Sequence, residues 1–141
     1  MTRRYRFAAS HRLNSPQLSE AENRRIYGKC NYPYGHGHDY VLDVTAIGPA
    51  DPRTGLAADT AKLDDLVRLR VIRDFDHRDL SSEVEAFART VATSENLAGE
   101  ICRRLKGDWS VVFPGEWPKL EGVRIAETSK NVFEVRADEV E

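Results

Sequence analysis

Four stretches of this chain carry a strand-like pattern, and two stretches of helical period lie between the second and the third. No other sequence feature constrains the fold as much. Tyr5, Phe7 and Ala9 alternate with Arg6, Ala8 and Ser10, which predicts a half-buried strand running to about Leu13, with His11 continuing the Tyr5/Phe7/Ala9 face. Tyr40-Val41-Leu42-Asp43-Val44-Thr45-Ala46-Ile47 is rich in β-branched residues and predicts a second strand. Leu63, Leu66, Val67 and Val71 then follow helical spacing, with Leu69 and Ile72 widening the apolar stripe and Asp59 or Thr60 as the cap. A second helix is expected after Thr93 or Ser94, with Leu97, Ala98, Ile101, Cys102 and Leu105 as its apolar face and Gly107 as its stop. Gly122 to Glu127 and Val132 to Val135 read as a closing antiparallel pair. The order ββ, α, α, ββ predicts one α+β domain over residues 1–141, an antiparallel sheet with two helices on one face. Four strands leave two unpaired edges and one bare face. Strand pairing between subunits would cover both, so an oligomer is expected.

Composition narrows the function class. Lys and Arg number 21 against 23 Asp and Glu, a net charge of −2. A nucleic-acid binder is normally more basic, so none is expected as a partner. An anionic substrate must therefore be met by locally placed cations. No apolar run approaches the ~20 residues of a membrane span, and the basic start Met1 to Arg6 lacks an apolar h-region. Two cysteines without a secretion signal fit a reducing compartment, and a cytoplasmic protein is expected.

The chemistry concentrates in one segment. Only four histidines occur, His11, His36, His38 and His77, and two of them form Gly35-His36-Gly37-His38. In an extended chain residues two apart point to the same side, about 6.6 Å apart, so both imidazoles can converge on one Zn²⁺. His11, on the inward face of the first strand, offers a third nitrogen. Three histidines with an open fourth position is the arrangement of catalytic zinc. Cys30 sits in the preceding polar loop beside Lys29, where a neighbouring cation or metal favours the thiolate as nucleophile or base. Cys102, on the apolar helix face, reads as an inert core thiol. Asp76-His77 pairs a carboxylate with an imidazole, a usual way of fixing a working histidine. Glu127 continues an apolar strand face. Either the strand ends there and Glu127 is solvated, or a pair of ligand N–H donors meets its carboxylate.

Together these residues resemble the 6-pyruvoyl-tetrahydropterin synthase family, which includes 6-carboxy-tetrahydropterin synthase. The resemblance runs from Phe7 to Val135. It is carried by Phe7-Ala8-Ala9-Ser10-His11-Arg12-Leu13 and by Tyr27-Gly28-Lys29-Cys30-Asn31-Tyr32-Pro33-Tyr34-Gly35-His36-Gly37-His38-Asp39-Tyr40. Thr54-Gly55-Leu56, Asp76-His77, Thr93-Ser94-Glu95-Asn96-Leu97-Ala98 and Glu127-Thr128 follow in order. The resemblance implies a T-fold (ββααββ) whose sheets join as trimers into a barrel, two trimers forming a homohexamer. It implies Zn²⁺ held by His11, His36 and His38, with Cys30, Asp76 and His77 as the catalytic group. Glu127 is implied as the pterin anchor, helped by Thr93 and Ser94.

The implied substrate is 7,8-dihydroneopterin triphosphate, which loses triphosphate in an internal redox rearrangement. The alternatives are a 6-carboxy-5,6,7,8-tetrahydropterin synthase of the queuosine pathway, which also releases acetaldehyde, and a catalytically silent pterin-binding T-fold module. Retention of all six expected ligand and catalytic residues argues against silence. The five residues between Cys30 and His36 match the longer loop of the pyruvoyl-forming branch. Leu56 and the stretch Gly107 to Gly122 depart from the family pattern. Arg12, Lys29 and Arg53 are the cations considered for the triphosphate.

Overall fold

The computed structural model describes residues 1–141. Its scaffold is a five-stranded sheet in the order β3-β1-β2-β4-β5. Strands β1 (Thr2–His11) and β2 (His36–Ile47) pair antiparallel with Phe7 opposite Tyr40, Ala9 opposite His38 and His11 opposite His36. On its other side β2 takes β4 (Lys119–Ala126), with Leu42 opposite Ile125 and Val44 opposite Val123. The register shifts between Thr45 and Ala46, where β4 carries Glu121 as an extra residue. β5 (Val132–Arg136) closes that edge antiparallel to β4. The strand absent from the sequence reading is β3 (Arg78–Asp79), a two-residue parallel addition to β1. So short a run carries no periodicity; it is a strand because Ala8 and its neighbours offer unpaired backbone groups.

The helices start where their caps predict. Ser19 and Glu22 form a reciprocal capping box for α1 (Glu20–Tyr27). Asp59 caps α2 (Thr60–Val67) by accepting from the Lys62 N–H. That helix continues through a π-helical turn, Arg68–Ile72, into α3 (Arg73–Phe75). The π turn fits an extra residue into one turn, so Leu69 leaves the apolar stripe and is 42% exposed, while Val71 and Phe75 stay buried. After the short α4 (Leu80–Glu83) comes α5 (Ser94–Val112), capped by Thr93. Gly107 does not stop α5. A helical glycine costs about 1 kcal/mol, and burial of Trp109, whose indole N–H donates to the Pro118 carbonyl at 2.9 Å, outweighs it. The helix ends before Pro114, which disfavours the helical conformation at Phe113.

Leu63, Leu66, Val67, Val71 and Phe75 from the first helical layer and Leu97, Ala98, Ile101, Cys102 and Leu105 from α5 form one core with Phe7, Ala9, Tyr40, Leu42, Val44, Val123 and Ile125. These strand residues alternate, so they occupy a single face of the sheet. The reverse face is polar. There Asp43 accepts both guanidinium N–H groups of Arg4 at 2.8 and 3.0 Å and also lies 3.6 Å from Arg124. This is the α+β architecture that the element order predicts. No helix is long and apolar enough to cross a membrane.

Candidate active site

The same alternation that buries Phe7 and Ala9 carries His11 to the helix-covered face at the end of β1. On β2 it carries His36, His38 and Tyr40 to that face. Gly35 makes the approach of the two strands possible. Its φ is +79°, and a Cβ there would stand 2.7 Å from the His11 carbonyl oxygen. His11 is fully buried, and its Nδ1 lies 2.8 Å from the Ala92 carbonyl. A carbonyl only accepts, so Nδ1 carries the proton and Nε2 presents a lone pair. The His38 Nε2 lies 3.2 Å from that atom. The Tyr40 hydroxyl stands 3.3 Å from His11 Nδ1 and adds a second contact to that edge of the ring.

Cys30 arrives from the 3₁₀ turn Gly28–Asn31, held by the Leu13 N–H donating to the Cys30 carbonyl at 2.7 Å. Its Sγ lies 3.9 Å from His38 Nε2. Donor atoms of His11, Cys30 and His38 all fall within 4.8 Å of one another, close enough to converge on a single metal ion. His36 stands beside this trio, its ring centroid 4.6 Å from that of His38, but it is exposed and lies outside the tight group. Cys30 is therefore closer to the paired nitrogens than the sequence spacing suggests.

Glu127 follows the last residue of β4 and is inward and nearly buried. Its Oε1 is 3.5 Å from His11 Nε2 and 3.6 Å from His38 Nε2. The other oxygen, Oε2, accepts from the Asn131 amide at 2.9 Å. Asn131 also donates to the hydroxyl of Ser94 at 3.3 Å, and Ser94 is buried. The Thr93 hydroxyl is occupied as the cap of α5, accepting from the Asn96 N–H. The start of α5 thus borders the site through the Ala92 carbonyl and through Ser94. Ala92, Tyr40 and Asn131 were not singled out from sequence. Tyr40 had a legible signal, its two-residue offset from His38; a backbone carbonyl and a turn asparagine have none.

The electrostatics follow from this crowding. Burial, and secondly the Glu127 carboxylate, push the Cys30 thiol above its ordinary value in the metal-free chain. That is the reverse of the thiolate-favouring setting expected beside Lys29, because the carboxylate and the lost hydration outweigh an exposed lysine. His38 is depressed, chiefly by burial, with Glu127 opposing and His11 and His36 adding to the depression. Cys102, wholly buried, is pushed up to about 11 by desolvation, as an inert core thiol should be.

Asp76 and His77 form their own dyad, His77 Nδ1 standing 3.1 Å from Asp76 Oδ2. The pair is latched to β1: the Ala8 N–H donates to Asp76 Oδ1 at 3.0 Å and the His77 N–H to the Ala8 carbonyl at 2.6 Å. His77 adopts φ +59°, a conformation non-glycine residues seldom take and one often retained at working sites. It is largely exposed and shares a shallow depression with Ala8, Ala9, Ser10, Gly37, His38 and Asp39, of which Ala8, Ser10, Gly37 and Asp39 are the positions that alternate to the reverse sheet face. Within one chain the dyad and Cys30 lie on opposite sides of the sheet.

The chain matches the model of the family described as 6-pyruvoyl tetrahydropterin synthase over residues 1–138. A 6-pyruvoyl tetrahydrobiopterin synthase of Drosophila melanogaster is 41% identical over 137 residues, covering 96% of this chain and 78% of its own. The corresponding Homo sapiens protein is 39% identical over 132 residues, covering 94% and 87%. The solved 6-pyruvoyl tetrahydropterin synthase of Caenorhabditis elegans superposes with a TM-score of 0.84 at 42% identity, covering 96% of this chain and 93% of that one.

Proposed function

The chain belongs to the 6-pyruvoyl tetrahydropterin synthase family, and from that premise we propose that it converts 7,8-dihydroneopterin triphosphate to a 6-pyruvoyl pterin in a zinc-dependent reaction. Lyase activity follows from the family; zinc, the residue roles and the assembly are the proposal. The single observation that carries it is the pair of inward-facing Nε2 atoms of His11 and His38, 3.2 Å apart. Two nitrogens bound at ~2.05 Å to a tetrahedral ion stand ~3.3 Å apart, so this pair fits zinc with little movement. The Ala92 carbonyl, by holding the proton on His11 Nδ1, keeps the ligating lone pair free.

His11, His36 and His38 would hold Zn²⁺, with His36 moving inward from its exposed position. When bound, the ion supplies Lewis-acid polarisation of the substrate side-chain hydroxyls. Cys30 is placed to take the proton from the adjacent carbon, and Asp76 and His77 to return one after rearrangement. Glu127 is suited to a pterin, whose 2-amino-4-oxo edge offers two adjacent N–H donors. Asn131 already fixes one of its oxygens, while Thr93 and Ser94 shape that end of the pocket.

A homohexamer built as a dimer of trimers is part of the proposal. Its support is the polar, helix-free reverse face and the location of the Asp76–His77 dyad there. A dyad so placed is suited to serve the Cys30 of another subunit. The deciding experiment incubates zinc-loaded protein anaerobically with 7,8-dihydroneopterin triphosphate and follows pterin products by mass spectrometry, with triphosphate and acetaldehyde in parallel. A pyruvoyl pterin with triphosphate and no acetaldehyde is the expected result. A carboxy pterin with acetaldehyde would move the chain to the 6-carboxy branch, and the absence of any product would leave only a binding module.

A further inference from the structure

Beside the Cys30 turn lies a second cavity of about 690 Å³ that none of the roles above uses. Three cations line it, Arg12, Arg24 and Lys29, against one carboxylate, Glu20. None of the three belongs to an ion pair, whereas many arginines elsewhere do, among them Arg3 with Asp64, Arg4 with Asp43, and Arg104 with Asp74 and Glu100. A chain of net charge −2 that leaves three neighbouring cations unpaired around one concavity holds a local positive field there.

Arg12 is pre-positioned. Its backbone N–H donates to the Ser81 hydroxyl at 2.9 Å, and that hydroxyl donates back to the Arg12 carbonyl at 3.1 Å. Its Nε donates to the Asn31 carbonyl at 3.1 Å, which orients the guanidinium and leaves both terminal nitrogens without a protein acceptor. Such a fork suits a phosphate oxygen pair, and Lys29 supplies a point charge beside it. Arg12 also lines an adjoining cavity with Arg89, a fourth cation outside the ion pairs. Arg53 is excluded from this group: it is held by Asp51 at 3.3 Å and lines a different cavity with Trp117 and Pro118.

We infer that this cavity is the polyphosphate subsite, with Arg12, Lys29 and Arg24 receiving the phosphate tail of the substrate before and after it is released. The inference rests on the functional reading above. It adds the location: Lys29 and Asn31 flank Cys30, and Arg12 follows His11, so a tail leaving the reacting carbons beside Cys30 meets this cavity next.

Inorganic tripolyphosphate is the probe, titrated calorimetrically into the native oligomer, alongside 7,8-dihydroneopterin, which lacks the phosphates. Arg24→Gln/Lys29→Gln is expected to weaken tripolyphosphate at least about tenfold and to raise KM for the triphosphate substrate, with dihydroneopterin affinity and melting temperature unchanged. Arg12→Lys, which keeps the charge and loses the fork, is expected to weaken it as well. Lys62→Gln, an unpaired lysine of the other cavity, controls for general charge and should change nothing. Wild-type binding and KM in the double variant would overturn the subsite. So would a wild type that turns over substrate but does not bind tripolyphosphate. A wild type without turnover would instead sink the synthase reading, and the tripolyphosphate titration would still decide the subsite.

Discussion

Gly35→Ala tests the link between backbone geometry and the histidine pair. The residue holds φ +79°, where a side chain costs about 1–2 kcal/mol. The new Cβ would stand 2.7 Å from the His11 carbonyl oxygen, 3.2 Å from its carbon and 3.6 Å from the Arg12 nitrogen, all backbone atoms that cannot swing aside. Separating strands by a few tenths of an ångström costs about another 1–3 kcal/mol. The sum, roughly 2–5 kcal/mol, is a large part of a normal domain stability and should lower Tm by roughly 10 °C. The displaced strand carries both His36 and His38, so zinc affinity should fall at least about tenfold along with stability. The assay is paired: urea unfolding of metal-free protein, and competition titration of zinc against a chromophoric chelator. Gly37→Ala is the contrast, since Gly37 has an ordinary φ and nothing within 4 Å of its would-be Cβ; its stability should change by less than about 1 kcal/mol. If Gly35→Ala unfolds at the wild-type urea concentration and binds zinc as tightly, the claim that this glycine sets the histidine geometry is wrong.

Three further outcomes are expected. Cys30→Ala should retain zinc and lose turnover by at least about a hundredfold; loss of zinc would instead make Cys30 a ligand, as its place in the tight trio allows. Inactive Cys30→Ala and His77→Ala proteins, mixed through partial unfolding and reassembly, should regain activity if the dyad acts on another subunit's cysteine, and should stay inactive if one chain supplies both. For metal-free protein, the depressed His38 contributes stability that is complete above its unfolded value near 6.5 and is lost as pH falls toward its lower folded value. Urea midpoints in His38→Gln, followed through that acidic window, should therefore fall less steeply than in wild type.

Much of this protein is readable from local pattern. Two-residue alternation alone places Phe7, Ala9 and His11 on one side of β1, and His36, His38 and Tyr40 on one side of β2, because a strand's side-chain period is fixed by its backbone. The caps at Ser19, Asp59 and Thr93 are equally local, each a side chain satisfying an N–H within three residues of itself. Where local pattern misleads, a packing energy has won: Trp109 carries α5 past Gly107, and the π turn turns Leu69 outward. The site itself was decided at longer range. Register between β1 and β2 brings Ala9 opposite His38 and so sets two imidazoles 3.2 Å apart. The β2–β4 pairing delivers Glu127 to them from 116 residues beyond His11. Neither the turn that seats Cys30 nor the latch that puts His77 on the reverse face leaves a mark in spacing. Residue periodicity states which way a side chain points; only burial of the common core, summed over the whole sheet, selects which strands meet and in what register.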